Sequence, residues 1–384
     1  MNILIYDMGS YTYQDFAYYL KKMGHSVKTV YYHFPDKFHD EFFCRRFSQY
    51  LEENHYDAVM SINFFPLVAK LCSKYHIKYL SWCYDSPLED RLSQYFSYET
   101  NYLFLFDSME VSKYRSMGYE QIFHLPLAVN TEKLNRLVFS QQQVAAYQSD
   151  ISFVGQLYDS SLDVLLAAAP EYIRGYIEGI LQAQLRIYGY FFLDELITDE
   201  ILTQVNSSFY KLGQTNLSLT RQGLCFSIAS AVTHLERSFL LNEFSEHFFT
   251  VFYTTKPCSL NKKVHLGGPL KYHTEMPGVF RYSKINLCPT LRCISSGIPL
   301  RALDIMGAGG FLLSNYQPEL AEYFNNEEDC VMYSSLEEAF EKAEFYIKHD
   351  DLRKEISKKG NKKVQAYFDY PSRIENMLEL AKLR

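Results

Sequence analysis

The sequence predicts an α/β protein of two Rossmann-like, doubly wound domains facing across a cleft, with a helical insertion in the second domain. Three observations lead there. Short apolar runs alternate with helical patterns from the first residues onward, and the alternation restarts near residue 149. The length of 384 residues also exceeds the usual size of a single core.

Asn2–Tyr6 reads as a buried strand, followed by a Gly9-Ser10 turn and a helix from about Tyr13 to Met23. Gly24-His25 closes that helix, and Ser26–Tyr32 is the second strand. This strand–turn–helix–strand unit begins a right-handed parallel fold. It repeats through the strand Ala58–Ile62, the helix Phe65–Lys74 and the strands Ile77–Trp82 and Tyr102–Phe106. The helix Met109–Met117 and the short strand Ile122–Leu125 complete the first domain, assigned to residues 1–140. Ligands of such sheets bind outside the carboxyl ends of the strands. Position therefore nominates Asp7–Tyr11, Asn63, Trp82–Pro87 and Asp107-Ser108 as cleft residues.

A second unit opens with the strand Ser149–Val154 and Gly155. The next convincing strand is Phe249–Thr254, and helical patterns occupy the interval. We assign a helical insertion at about residues 160–247 within a second domain of residues 141–370. Strands follow at Lys262–Leu266, Ile285–Cys288, Gly310–Leu313 and Cys330–Tyr333. Helices lie around Glu275–Phe280, at Leu300–Met306, Glu319–Phe324, Leu336–Lys348 and Asp351–Tyr367. Pro371 starts a terminal helix over residues 371–384.

Composition narrows the function. A net charge of −7, spread along the chain, argues against sequence-independent nucleic-acid binding, which needs clustered cations. The Lys-rich stretch between Arg353 and Lys363 reads as the solvated face of an amphipathic helix. The 33 Tyr and 29 Phe mostly fill cores, although a tyrosine ring also suits a sugar face. None of the eight cysteines forms a CxxC pair, so reduced, buried thiols in a cytoplasmic protein are the expectation. The N-terminus is too short to read as a signal peptide, and no apolar run approaches the ~20 residues of a membrane span.

The stretch Ser283–Phe311, SKINLCPTLRCISSGIPLRALDIMGAGGF, is the densest in chemistry. It reads as strand, polar loop, helix, glycine turn and strand. Backbone N–H groups at the helix start, with Gly297 permitting close approach, form an anion site suited to a diphosphate. Arg301 and Arg292 can add bidentate charge, and Asp304, one turn on, can accept from ribose hydroxyls. On residue types alone an ordinary helix with an exposed Arg explains the stretch equally well.

The run GIPLRALDIMGAGGFLLSNYQPEL, preceded by EMPGVFRYSKINL, resembles the C-terminal domain of the CgeB-like (spore-maturation) glycosyltransferases. The YLSWCYDSP stretch resembles the DUF3880-type domain often found ahead of it, and SDISFVGQLY and FDYPSR also fit. The resemblance covers nearly the whole chain outside the insertion. It implies the GT-B architecture, a nucleoside-diphosphate-sugar donor and a carbohydrate or glycosylated acceptor. The wider retaining GT-B group carries two glutamates eight positions apart; Asp304 stands at the later one and Ser296 at the earlier. That group's Arg and Lys shortly after the Gly155-like position are missing; Gln156, Tyr158 and Asp159 stand there. Diphosphate charge then falls to Arg301, Arg292 and Lys256.

The donor-binding set is therefore Gly155, Lys256, His273, Arg292, Ser296, Gly297, Ile298, Arg301 and Asp304. Asp85, in a turn after a strand, is a base if the reaction inverts configuration, or a turn-forming residue. Glu275 is a second catalytic candidate, or a carboxylate favoured by a helix start. Gly9, Ser10, Trp82 and Tyr84 form the acceptor side, with the two aromatics stacking on a sugar ring. No paired-carboxylate motif or His/Cys cluster is present in the sequence, so neither a metal nor any other cofactor is expected. The function read is metal-independent sugar transfer to a polysaccharide, protein or small molecule. A non-catalytic nucleotide-sugar-binding protein and a nucleotide-sugar epimerase are the alternatives, and a homo-oligomeric state is left open.

Overall fold

The apolar run after Met1 forms β1 (Asn2–Asp7), an interior strand next to the edge of a six-stranded parallel sheet in the computed structural model. The structure describes residues 1–158, 160–211, 218–256 and 258–384. It divides into one unit of Met1–Asn130 with Ala366–Arg384, and a second of Thr131–Gln365.

In the first unit β1 is followed by α1 (Tyr13–Lys22), β2 (Ser26–Tyr31), α2 (Glu41–Glu53), β3 (Ala58–Ile62), α3 (Pro66–Lys74) and β4 (Lys78–Cys83). A 3-10 turn (Asp90–Tyr95), β5 (Asn101–Leu105), α4 (Ser108–Ser116) and β6 (Ile122–His124) complete the run. The strand order is β2-β1-β3-β4-β5-β6, every pair parallel. β1, β3, β4 and β5 are almost wholly buried, as expected for central strands covered on both faces. The sequence reading assigned nothing to the stretch that forms α2. Its cap is Asp40, whose side chain accepts from Phe43 N at 2.8 Å, and it buries Phe43, Phe47 and Leu51 at helical spacing.

The second unit begins with α5 (Thr131–Asn135), α6 (Gln141–Tyr147) and β7 (Ser149–Val154). The insertion follows as α7 (Leu162–Leu166), α8 (Glu171–Arg186), α9 (Leu193–Leu196), α10 (Asp199–Lys211) and α11 (Arg221–His247). The sheet resumes with β8 (Thr250–Tyr253), β9 (His265–Leu266), α12 (Met276–Tyr282), β10 (Ser283–Cys288), α13 (Leu300–Gly307) and β11 (Leu312–Asn315). α14 (Pro318–Tyr323), β12 (Val331–Tyr333), α15 (Leu336–Lys348) and α16 (Asp350–Tyr367) end the second run. Its order is β12-β11-β10-β7-β8-β9, again all parallel. The expected strand over residues 262–266 is shorter than its pattern. Only His265–Leu266 pair, on an exposed edge, because Val264 N turns back to Asn261 O.

The insertion has its own core of Ile173, Ile177, Leu193, Val205, Phe209 and Leu224. The 27-residue α11 belongs to two cores. Leu224, Ile228 and Val232 pack in the insertion, while Leu240, Leu241 and Phe244 pack beneath the sheet. Its apolar residues therefore do not keep to one face. The final helix, α17 (Tyr370–Leu380), lies in the first unit, where Tyr370 stacks on Tyr19 of α1 at 5.4 Å.

Candidate functional site

Each sheet has one point where the strand order reverses, and ligands of open α/β sheets collect outside the carboxyl ends there. In the second unit that point lies between β7 and β10. Gly155 follows β7; its N–H donates to Tyr253 O at 3.1 Å, and an added Cβ would lie 3.0 Å from the Phe153 ring. After β10 the chain enters the loop 289–299. One side chain ties the two strand ends together. Arg237 of α11 donates from Nε to Pro289 O at 3.1 Å, and its two terminal nitrogens donate to Gln156 O and Pro289 O. The guanidinium lies about 5 Å from the Phe153 and Tyr158 rings. Burial lowers its pKa from the ordinary arginine value. The sequence carried no signal for Arg237, because a lone Arg in a helical pattern reads as a surface residue.

Ser296, Gly297 and Ile298 are buried in the approach to α13, whose N-cap is Pro299. Asp304, 6% exposed, accepts from Tyr272 Oη at 2.8 Å and from Arg301 Nη1 at 3.2 Å. Arg301 also contacts the Met276 sulfur and lies 5.6 Å from the Phe280 ring. Arg301 and Asp304 are thus brought together, and Tyr272 is a member of the cluster that the sequence reading missed. His273, next in the chain, has Nδ1 3.0 Å from Lys133 Nζ. Glu275 accepts from Lys271 N at 2.8 Å, closing the turn that starts α12. Lys256 is exposed in the turn after β8.

Ser296, of the expected donor set, donates to Glu319 Oε1 at 2.8 Å, and Glu319 N donates to Ser296 O at 3.1 Å. A carboxylate from α14, 2% exposed, therefore stands beside the serine. The expectation that Arg292 supplies diphosphate charge is corrected. Its side chain is 4% exposed and pairs with Glu236 at 2.9 Å. Its other nitrogens donate to Ile187 O and Leu185 O, and the guanidinium sits 3.8 Å over the Tyr188 ring. These contacts tie the loop after β10 to α8 and α11 of the insertion. Of the residues replacing the missing basic pair, Gln156 gives its carbonyl to Arg237, Tyr158 adopts φ 64°, and Asp159 lies outside the described residues.

In the first unit the reversal falls between β1 and β3. Asp7 Oδ1 accepts from Gly9 N at 2.9 Å and Ser10 N at 3.0 Å, and Gly9 has φ 99°. That left-handed turn favours glycine. Ser10 Oγ lies 3.0 Å from Thr12 Oγ1. At the end of β3, Asn63 donates from Nδ2 to Asp85 Oδ2 at 2.7 Å and accepts from Tyr84 N at 2.7 Å. Asp85 keeps exposed surface, yet crowding by the surrounding chain raises its pKa above the ordinary value, with Lys37 opposing. Just behind it, Glu110 accepts from Ser86 Oγ at 2.8 Å and Leu88 N at 2.6 Å, and burial lifts its pKa to about 7. Asp107 caps α4 by accepting from Met109 N and Glu110 N.

The stacking role expected of Trp82 is corrected. The indole is wholly buried, packed on Phe16 and Tyr370, with Nε1 donating to Leu125 O at 3.4 Å. A side chain inside the sheet core offers no face to a sugar. Tyr84 is half-buried, its ring 5.2 Å from that of Trp82.

All eight cysteines are free. Among the described residues no group of three or more His, Cys, Asp or Glu is arranged to hold a metal ion, and no helix is long and apolar enough to cross a membrane.

A family model described as Glycosyl transferase-like matches residues 230–379, less than half of the chain. No curated protein matches at the level of sequence. Solved structures do match over full length. A glycosyltransferase from Rickettsia africae shares 11% identity over 99% of this chain and 97% of its own, at a TM-score of 0.56. Sucrose-phosphate synthase from Thermosynechococcus elongatus shares 11% identity over 100% of this chain and 98% of its own, also at 0.56. Anabaena HepE, solved with UDP and glucose, shares 9% identity over 100% of both chains at 0.54. At these identities the likeness is one of fold. The chain has the two-domain fold of the GT-B-like glycosyltransferase superfamily, and its second half carries a glycosyl transferase-like segment.

Proposed function

We propose that the protein transfers a sugar from a nucleoside diphosphate to a polysaccharide, protein or small-molecule acceptor, without a metal ion or other cofactor. In this reading it acts in the cytoplasm and is of the CgeB-like kind. The observation that carries it is the grouping of Arg301, Asp304 and Tyr272 on and beside α13, next to the carboxyl end of β10. A helix start with a cation and a hydrogen-bonded carboxylate can receive a diphosphate and its ribose. Gly155, Ser296, Gly297, Ile298, His273 and Lys256 complete the proposed donor set. Leaving-group charge is neutralised by helix N–H groups and Arg301.

Asp85 is the proposed base, removing the proton of the acceptor hydroxyl as it attacks the anomeric carbon. Its raised pKa suits a group that must hold a proton briefly. Gly9, Ser10 and Tyr84 line the proposed acceptor side, and Glu275 is kept for shaping the turn before α12.

A thermal-shift panel of nucleoside diphosphates and their sugars tests the donor class, beginning with UDP and UDP-glucose because the similarly folded HepE was solved with both. Asp85→Asn is then expected to lower kcat by about 10²–10⁴ with donor affinity unchanged. Asp304→Asn is expected to weaken donor binding first. Equal donor weakening in both variants would refute the division of labour. A non-catalytic nucleotide-sugar-binding role draws its support from Ser296, which is not acidic and whose hydroxyl is engaged by Glu319. Release of UDP from UDP-glucose by the purified protein excludes that role.

A further inference from the structure

The polar atoms of Asn63 go to two places: the end of its own strand and the segment that carries Asp85. Its N–H donates to Trp82 O at 2.8 Å, and its carbonyl accepts from Ser61 Oγ at 2.6 Å. The side-chain Oδ1 accepts from Tyr84 N at 2.7 Å and Asp85 N at 3.2 Å, while Nδ2 donates to Asp85 Oδ2 at 2.7 Å. The residue also adopts φ 65°, a left-handed conformation costly for most side chains and best tolerated by Gly and Asn. A turn alone would be satisfied by glycine. Two amide donors and one carboxylate acceptor met by a single side chain require the carbonyl and NH₂ of an amide. An Asp in its place would set a second negative charge against Asp85.

We infer that Asn63 is a positioning residue for catalysis: it fixes the direction of the Asp85 carboxylate, engages Oδ2, and leaves Oδ1 to take the acceptor proton. This rests on the proposed role of Asp85 as the base. Among the described residues Oδ1 has no hydrogen-bond partner. Lys37, from the loop after β2, is the cation facing this carboxylate, and it also pairs with Glu89. The buried Cys83 thiol and Glu110 lie on the protein side. Nδ2 donates to the ionised form of Asp85, so its removal shifts the carboxyl pKa upward.

The test measures the Asp85 carboxyl pKa by ¹³C NMR of Asp-labelled protein, with Asp85→Asn assigning the resonance. Turnover is followed as UDP release from UDP-glucose. Asn63→Gly keeps the left-handed backbone and removes the amide; Asn63→Asp keeps the acceptor and replaces the donor with a charge. Both are expected to raise the Asp85 pKa by about one unit or more, Asn63→Asp the further. The acid limb of the kcat profile should move up with it. kcat should fall about 10- to 100-fold, with KM for UDP-glucose within about twofold of the unaltered protein. An Asp85 pKa and kcat unchanged in Asn63→Asp, while Asp85→Asn is inactive, overturns the role of Asn63 and leaves the base in place. Full turnover by Asp85→Asn overturns the base, and the positioning role with it. If Asn63→Gly does not fold, Asn63→Asp gives the same reading.

Discussion

The phenol of Tyr272 donates to Asp304 Oδ1 at 2.8 Å, holding the carboxylate of α13 from the turn that precedes α12. Arg301, one turn earlier on α13, holds the other oxygen at 3.2 Å. A carboxylate restrained on both oxygens loses little rotamer freedom when a ligand arrives, so hydrogen bonds to a ribose are gained at low entropic cost.

That arrangement predicts graded losses in donor binding. Arg301→Ala should weaken nucleoside-diphosphate binding about 10- to 100-fold, the loss of a charged hydrogen bond. Tyr272→Phe should cost only about two- to tenfold, because a neutral donor to Asp304 is removed. Calorimetric titration with UDP reads both. Unchanged affinity in the two variants would take α13 out of the donor site.

Arg292 should affect stability and leave nucleotide affinity alone. Its pair with Glu236 is buried at 4% and 0% exposure, with Tyr333 Oη donating to Glu236 at 3.0 Å. Glu236→Gln leaves the buried guanidinium without its counter-charge and should destabilise by about 3–5 kcal/mol. Urea unfolding measures this; a loss below about 1 kcal/mol would mean that water reaches the pair.

Glu110 predicts a pH dependence of stability. Burial raises its folded pKa from 4.5 to about 7, so the native state holds the proton more tightly than the unfolded chain. Its contribution is therefore full below about pH 4.5 and is lost as pH rises through about 7, a change on the order of a few kcal/mol. Glu110→Gln should flatten this part of the profile, keeping the bond from Leu88 N. Melting curves of the two proteins between pH 5 and 8 that fall in parallel would assign the dependence elsewhere.

Turnover should be indifferent to chelators. Arg301 and the first turn of α13 are proposed to meet the diphosphate charge, so EDTA is expected to leave kcat unchanged. Abolished activity that Mn²⁺ or Mg²⁺ restores would show that a divalent ion carries that charge instead.

The sequence by itself determined the two parallel sheets and the helical insertion between strands of the second. These follow from local periodicity: central strands read as apolar runs, and crossover helices separate them. It also placed Arg301 and Asp304 on one helix, since three residues apart on a helix means one face. Only the tertiary structure decided what became of individual side chains. Trp82 and Arg292 have types that suit a site, yet one fills the sheet core and the other pairs with Glu236 beneath the insertion. Arg237, Tyr272 and Glu319 enter from elements whose own patterns say nothing about the partners they meet, Pro289, Asp304 and Ser296. Asn63 is the clearest case. Its position at the end of β3 was legible, but the bonds to Tyr84 and Asp85 exist only because β3 and β4 lie side by side. Periodicity reports which way a residue faces along its own element; which partner it meets is set by contacts between segments distant in the chain.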